Sequence, residues 1–96
     1  MMLVRDVFQA KYGRGDELVA LFKEVRDEWF SNYPFRILTD ASGPFFTVVT
    51  EIEVTGLAAW EQLTAEELGR PEFGEWFARM TPLVESGRRE FYHIET

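Results

Sequence analysis

The sequence predicts an α+β fold: a four-stranded antiparallel sheet with helices on one face, in the order strand, helix, strand, strand, helices, strand. Three observations carry this. Residues 44–54 are the densest β-forming run in the chain, aromatic and β-branched, entered through Ser42-Gly43-Pro44. Leu18, Leu21, Phe22, Val25 and Trp29 recur at helical spacing as one apolar stripe. Shorter alternating runs lie near both ends of the chain and beside the central run, enough for three more strands.

The first strand is predicted over residues 3–11. Val4, Asp6, Phe8 and Ala10 share one face, and Leu3, Arg5, Val7 and Gln9 the other; neither is cleanly polar, which suits a central strand. Gly13-Arg14-Gly15 breaks it. A helix is predicted over 16–31, with Asp16 and Glu17 placed to complement its dipole and Asn32-Tyr33-Pro34 to stop it. A short strand over 35–40 forms a hairpin with residues 44–54 through the turn 41–44. The long strand sets Phe46, Val48, Thr50, Ile52 and Val54 on one face and Phe45, Thr47, Val49, Glu51 and Glu53 on the other. Thr55 is then a candidate helix cap, with Leu57, Trp60 and Leu63 on the buried side. Thr64-Ala65-Glu66-Glu67 has the capping-box pattern, which predicts a restart. Gly69-Arg70 is a break, and Pro71 opens a helix carrying Phe73, Trp76, Phe77 and Met80, ended by Thr81-Pro82. Ser86-Gly87 separates it from a final strand over 88–95, where Tyr92 and Ile94 share one face and Arg89, Phe91, His93 and Glu95 the other.

This order is a split βαβ pattern. The crossover rule is expected to set the first and third strands as parallel central neighbours, with the second and fourth at the edges and the fourth antiparallel to the first. Both helical segments fall on one face. The other face is expected to carry Phe45 and Val49, together with Phe91 and either Leu3 and Val7 or Val4 and Phe8. An uncovered apolar patch of more than a few hundred Å² is unusual on a soluble monomer. A second copy, packed sheet against sheet about a two-fold axis, is the expected cover, so the chain is its own predicted partner.

Ninety-six residues make one domain, residues 1–96, whose nine Phe, three Trp and three Tyr can fill a thin core. Seventeen acidic against ten basic residues give a formal charge of −7, which argues against nucleic acid as a partner. Arg88-Arg89, the one adjacent basic pair, is expected at a solvated strand end. The absence of cysteine removes disulfides, thiolate metal sites and thiol nucleophiles and suits a reducing cytoplasm. A charge pair at Arg5-Asp6 interrupts any signal-like start, and no apolar run reaches the length of a membrane span.

His93 is the only histidine, the natural candidate for acid–base work. If Val4, Asp6 and Phe8 turn inward, Asp6 would neighbour His93 and fix its tautomer. In the opposite register Arg5 would face inward and meet an anionic ligand or Glu51; the two faces exclude one another. Glu51 and Glu53 offer only hard oxygen donors, so no metal is expected. The rings of Trp29, Tyr33, Trp60, Phe73, Trp76 and Phe77 suit core packing or the lining of a flat apolar pocket. No dinucleotide fingerprint, phosphate loop or nucleophile elbow is present, and no cofactor is expected.

Tyr12-Gly13-Arg14-Gly15 leading into Glu17-Leu18-Val19-Ala20-Leu21-Phe22, the strand 45–54, Trp60, Arg70-Pro71-Glu72-Phe73 with Trp76-Phe77, and residues 82–87 before the last strand together resemble the dimeric α/β-barrel superfamily, ferredoxin-like in fold, and within it the NIPSNAP-like branch. That resemblance spans nearly the whole chain. It implies a barrel closed by two four-stranded sheets, with a pocket inside it or between each sheet and its helices. The superfamily includes cofactor-free monooxygenases, haem-degrading enzymes and ligand-binding regulators. Haem-degrading relatives carry an asparagine in the first strand; here the sole asparagine, Asn32, follows the first helix. Three functions follow as expectations: a homodimer binding a small apolar or aromatic molecule, a cofactor-independent monooxygenase of the antibiotic-biosynthesis type, or a dimerisation module without catalysis. The candidate catalytic residues are His93 and Asp6. The candidate ligand-binding residues are Arg5, Tyr33, Phe45, Val49, Glu51, Trp60 and Phe91.

Overall fold

The computed structural model describes residues 1–96. Strand β1 (Met2–Ala10) is followed by helix α1 (Gly15–Glu28), strands β2 (Phe35–Thr39) and β3 (Thr47–Val54), helices α2 (Leu57–Leu68) and α3 (Pro71–Met80), a 3-10 turn (Thr81–Leu83) and strand β4 (Val84–His93). The sheet order is β2-β3-β1-β4, and every neighbouring pair is antiparallel. The central pair β1 and β3 is therefore not parallel, contrary to the crossover expectation. The crossover through α1 ends in β2, and the hairpin then folds β3 back between the two. The parallel relation belongs to β1 and β2, which do not touch.

Among the boundaries that differ from the sequence pattern, three have clear local reasons. β3 begins at Thr47, so Phe45 and Phe46 lie in the preceding turn and not on strand faces. There Gly43 and Phe46 take left-handed φ values of 104° and 59°, Asp40 Oδ1 accepts the Thr47 amide at 3.0 Å, and Thr47 Oγ1 donates to the Pro44 carbonyl at 2.9 Å. Helix α2 runs through Thr64 without a restart, because the hydroxyl bonds back to the Trp60 and Glu61 carbonyls at 3.0 and 3.1 Å. Its N-cap is Gly56, not Thr55, and Leu57 is exposed. β4 begins at Val84 and takes in Ser86 and Gly87. A bulge at Glu85 shifts its pairing with β1, from Gln9 opposite Ser86 to Ala10 opposite Val84. Gly87 lies opposite Phe8, and a Cβ there would stand 3.0 Å from the Phe8 ring, so glycine is what lets that ring lie across β4.

The strands divide the chain into two surfaces. Val4, Phe8, Ala10, Val48, Ile52 and Val54 face the helices, where two buried clusters form: one on α1 and α3 around Leu18, Phe22 and Trp76, the other on α2 around Trp60 and Leu63. The opposite face has no cover within the chain. It carries Leu3, Arg5, Val7, Leu38, Val49, Glu51 and Tyr92 at paired positions of the four strands. No helix is long and apolar enough to cross a membrane.

Candidate functional site

Between the sheet and the three helices lies a cavity of about 240 Å³. The sheet supplies its floor through Val4, Asp6, Phe8, Thr50 and Ile52. Helix α1 contributes Phe22 and Val25, with Trp29 at its C-cap, α2 contributes Trp60, Thr64 and Glu67, and α3 contributes Phe73, Trp76 and Phe77. These walls follow from helical periodicity: Thr64 follows Trp60 by four residues and Glu67 follows Thr64 by three, while Trp76 and Phe77 follow Phe73 by three and four. The rings are locked against one another. Trp76 stands 5.7 Å from Phe22, 6.1 Å from Trp29 and 6.1 Å from Phe73, and its Nε1 donates to the Leu21 carbonyl at 3.0 Å.

The polar wall rests on register. Asp6 is opposite Arg89 on β4, whose Nε and Nη2 donate to the two carboxylate oxygens at 2.7 and 3.0 Å. The same guanidinium lies 4.8 Å from the Trp60 ring centroid, and Trp60 meets Phe91 edge-on at 6.3 Å. Arg89, whose side chain stays 47% exposed, is therefore more than a solvated residue: it ties β1, β4 and α2 together. Glu67 is buried at 7% exposure.

On the uncovered face, Glu51 is 2% exposed and sits between two arginines in one row across three strands. Arg5 Nε donates to Oε2 at 2.7 Å, and Arg36 donates to Oε1. Burial pushes the Glu51 carboxyl up, but hydrogen bonds from Arg5 and Arg36 outweigh it and hold the group below its ordinary value of 4.5. The stabilisation is therefore present above that value and lost as pH falls through the lower, folded one. Between about pH 6 and about pH 3 the wild type should lose more stability to urea than Glu51→Gln does. Parallel losses in the two proteins would show that this row does not carry the acid sensitivity.

The predicted site residues separate. Asp6, Trp60 and Phe91 lie on the helix side, with Asp6 and Trp60 lining the cavity. Arg5, Val49 and Glu51 lie on the uncovered face. Phe91 had been expected on that uncovered face, but β4 register puts it opposite Val4. Phe45 is 70% exposed in the β2–β3 turn. Tyr33 lies before β2, edge-on to Phe30 at 6.1 Å. His93 is exposed at the end of β4 opposite Met2, four register steps from Arg89, so the expected Asp6–His93 pair does not form. At ~3.3 Å per residue that offset is about 13 Å. No group of three or more His, Asp and Glu side chains could hold a metal ion. Arg89 and Glu67 were not foreseen. The spacing of Glu67 from Trp60 and Leu63 was the available signal, and Arg89 had none without the β1–β4 register.

No protein-family model and no curated protein sequence matches the chain. Solved structures do. An uncharacterized NIPSNAP domain protein from Burkholderia xenovorans superposes with a TM-score of 0.87 at 14% identity, covering 98% of this chain and 94% of its own. A NIPSNAP family protein from Agrobacterium tumefaciens gives 0.81 at 15% identity over 97% and 92%. The fold is NIPSNAP-like. The NIPSNAP-like fold is also similar to that of a cofactor-independent oxygenase from Streptomyces nogalater, with a TM-score of 0.71 at 14% identity over 99% and 93% of the chains. At such identities the likeness is one of fold and assigns no activity.

Proposed function

We propose that this NIPSNAP-like chain is a homodimer that binds a small apolar or aromatic molecule between its sheet and its helices. The observation that carries the reading is the aromatic cavity of about 240 Å³ with its charged wall of Asp6 and Arg89. An engineered apolar cavity of roughly 150 Å³ already takes benzene. Fourteen of the nineteen residues lining this one are hydrophobic, so transfer of an apolar molecule from water is favourable there.

The dimer is supported by the uncovered sheet face. Its strand positions hold Arg5, Arg36 and Arg88 against Glu51, Glu53 and Glu90, a sum of zero on a chain of −7. Self-association is least opposed by like charge on the one face that is neutral. Leu38 and Tyr92, 40% and 45% exposed, gain cover there. A cysteine-free chain suits the reducing cytoplasm, where we place it.

A second reading, favoured by the likeness to the Streptomyces oxygenase, is cofactor-independent monooxygenation. Proton transfer would then fall to Asp6 in the cavity and not to His93 outside it. One experiment addresses both readings: titrate the protein with a small fused-ring aromatic, follow Trp29, Trp60 and Trp76 fluorescence, and record oxygen uptake with a quinol in parallel. Saturable quenching at one site per chain, without oxygen uptake, is the expected result. Absence of saturable quenching overturns the binding reading. Oxygen uptake that disappears in Asp6→Asn replaces it with the enzymatic one.

A further inference from the structure

We infer that Thr50 and Asp6 form the polar subsite of the cavity, and that this subsite takes the hydroxyl of a neutral aromatic alcohol. This rests on the reading that the cavity holds a small molecule. Thr50 on β3 stands opposite Asp6 on β1, and Asp6 opposite Arg89 on β4, so the three make one polar row across the floor. Thr50 is 7% exposed and lines the cavity. Its hydroxyl hydrogen-bonds to no group of the protein. Among interior side-chain nitrogens and oxygens sealed from solvent, only Glu67 Oε2 lacks a hydrogen bond. The Thr50 oxygen is thus not sealed, and it opens on the cavity that its residue lines. The other threonine in the wall, Thr64, has its hydroxyl committed to the carbonyls of its own helix.

The row fixes what the ligand must carry. Each Asp6 oxygen accepts one hydrogen bond from Arg89, and a carboxylate oxygen can accept again. Asp6 only accepts, whereas Thr50 donates or accepts. A group between them must bring a proton to Asp6 and can take one from Thr50; a hydroxyl does both through a single atom. Paired strands lie about 4.8 Å apart and hydrogen-bonded oxygens about 2.8 Å, so one oxygen over the gap reaches both residues. An ether oxygen brings no proton and sets its lone pairs against the carboxylate. Asp6 is matched by Arg89, and Glu67 by Arg70 at 2.8 Å, so the wall leaves no net charge for an ion to neutralise. The helices opposite present Phe22, Trp60, Phe73 and Trp76, which suit a flat aromatic body. A volume of about 240 Å³ exceeds the roughly 150 Å³ that holds one benzene ring, which admits a second fused ring.

Equilibrium dialysis of the full chain against 2-naphthalenemethanol, its methyl ether and 2-naphthylmethylammonium tests the proposal. The wild type should bind the alcohol about tenfold more tightly than the ether, and no more weakly than the cation. Thr50→Val keeps the shape and removes the hydroxyl, so the preference should fall to about threefold or less, the part that Asp6 supplies. Thr50→Ser should restore it. Because the hydroxyl has no partner within the protein, Thr50→Val should unfold at no lower urea concentration than the wild type. Equal binding of alcohol and ether by the wild type, or a preference that survives intact in Thr50→Val, overturns the subsite while leaving the cavity a binding site. A lowered urea midpoint in Thr50→Val would give the hydroxyl a structural partner and overturn its role toward the ligand. Tenfold tighter binding of the cation overturns the neutral class. Failure of all three compounds to bind overturns both the inference and the reading beneath it.

Discussion

Replacing Val49 with Glu is expected to halve the mass of the particle in sedimentation while leaving its circular dichroism unchanged. Val49 lies on the uncovered face of β3, flanked by Val7 on β1 and Leu38 on β2. In a lone chain the site is only half-buried, so a carboxylate there stays hydrated and the fold tolerates it. In a sheet-on-sheet dimer the same carboxylate enters the middle of the interface with no added base to meet it. Burying an unpaired charge costs several kcal/mol, so association should weaken by about a thousandfold, ~4 kcal/mol. Leu57→Glu, exposed at the start of α2, is the control and should stay dimeric. A Val49→Glu protein with the wild-type dimer mass would remove this face from the interface. A wild type that is monomeric and folded at micromolar concentration would remove the dimer.

The largest loss of fold stability is expected from Trp76→Ala. The ring is 7% exposed and touches aromatic neighbours on α1 and α3, and its indole N–H spans from α3 to the Leu21 carbonyl of α1. Removing it widens an existing cavity and leaves no side chain able to collapse into the gap. A loss of about 3–5 kcal/mol is expected in urea unfolding. Small domains have a total stability of about 5–15 kcal/mol, so the variant should be marginal at body temperature. Trp76→Phe keeps a ring but loses the hydrogen bond and should cost about 1–2 kcal/mol. A loss below about 1 kcal/mol for Trp76→Ala would mean that the α1–α3 contact contributes little.

Periodicity made the helices legible. The stripe from Leu18 to Trp29 and the set Phe73, Trp76, Phe77 and Met80 need no knowledge of partners, because a helix face is defined by its own spacing. Pro71 marked the start of α3 for the same local reason. Strand faces were legible as alternations, but not which side each turned. Asp6 could be placed on a face with Val4 and Phe8, yet its partner depended on register with β4, eighty residues away in sequence, where a bulge adds one residue. Arg89 therefore took the place assigned to His93. Ser86-Gly87 read as punctuation because small residues usually are; here the glycine is needed by the Phe8 ring across the strand. Glu67 was read as half of a local cap because Thr64 three residues earlier fits that pattern. The fold instead used the residue as a buried wall, on the helix face shared with Trp60 and Leu63.

Strand β1 is a partition one residue thick. Val4, Asp6 and Phe8 belong to the chamber, and Leu3, Arg5 and Val7, alternating with them, belong to the opposite surface. In the proposed dimer a guest pressing on Asp6 would load the same strand from which Arg5 reaches Glu51, so the chamber and the proposed interface share a single beam.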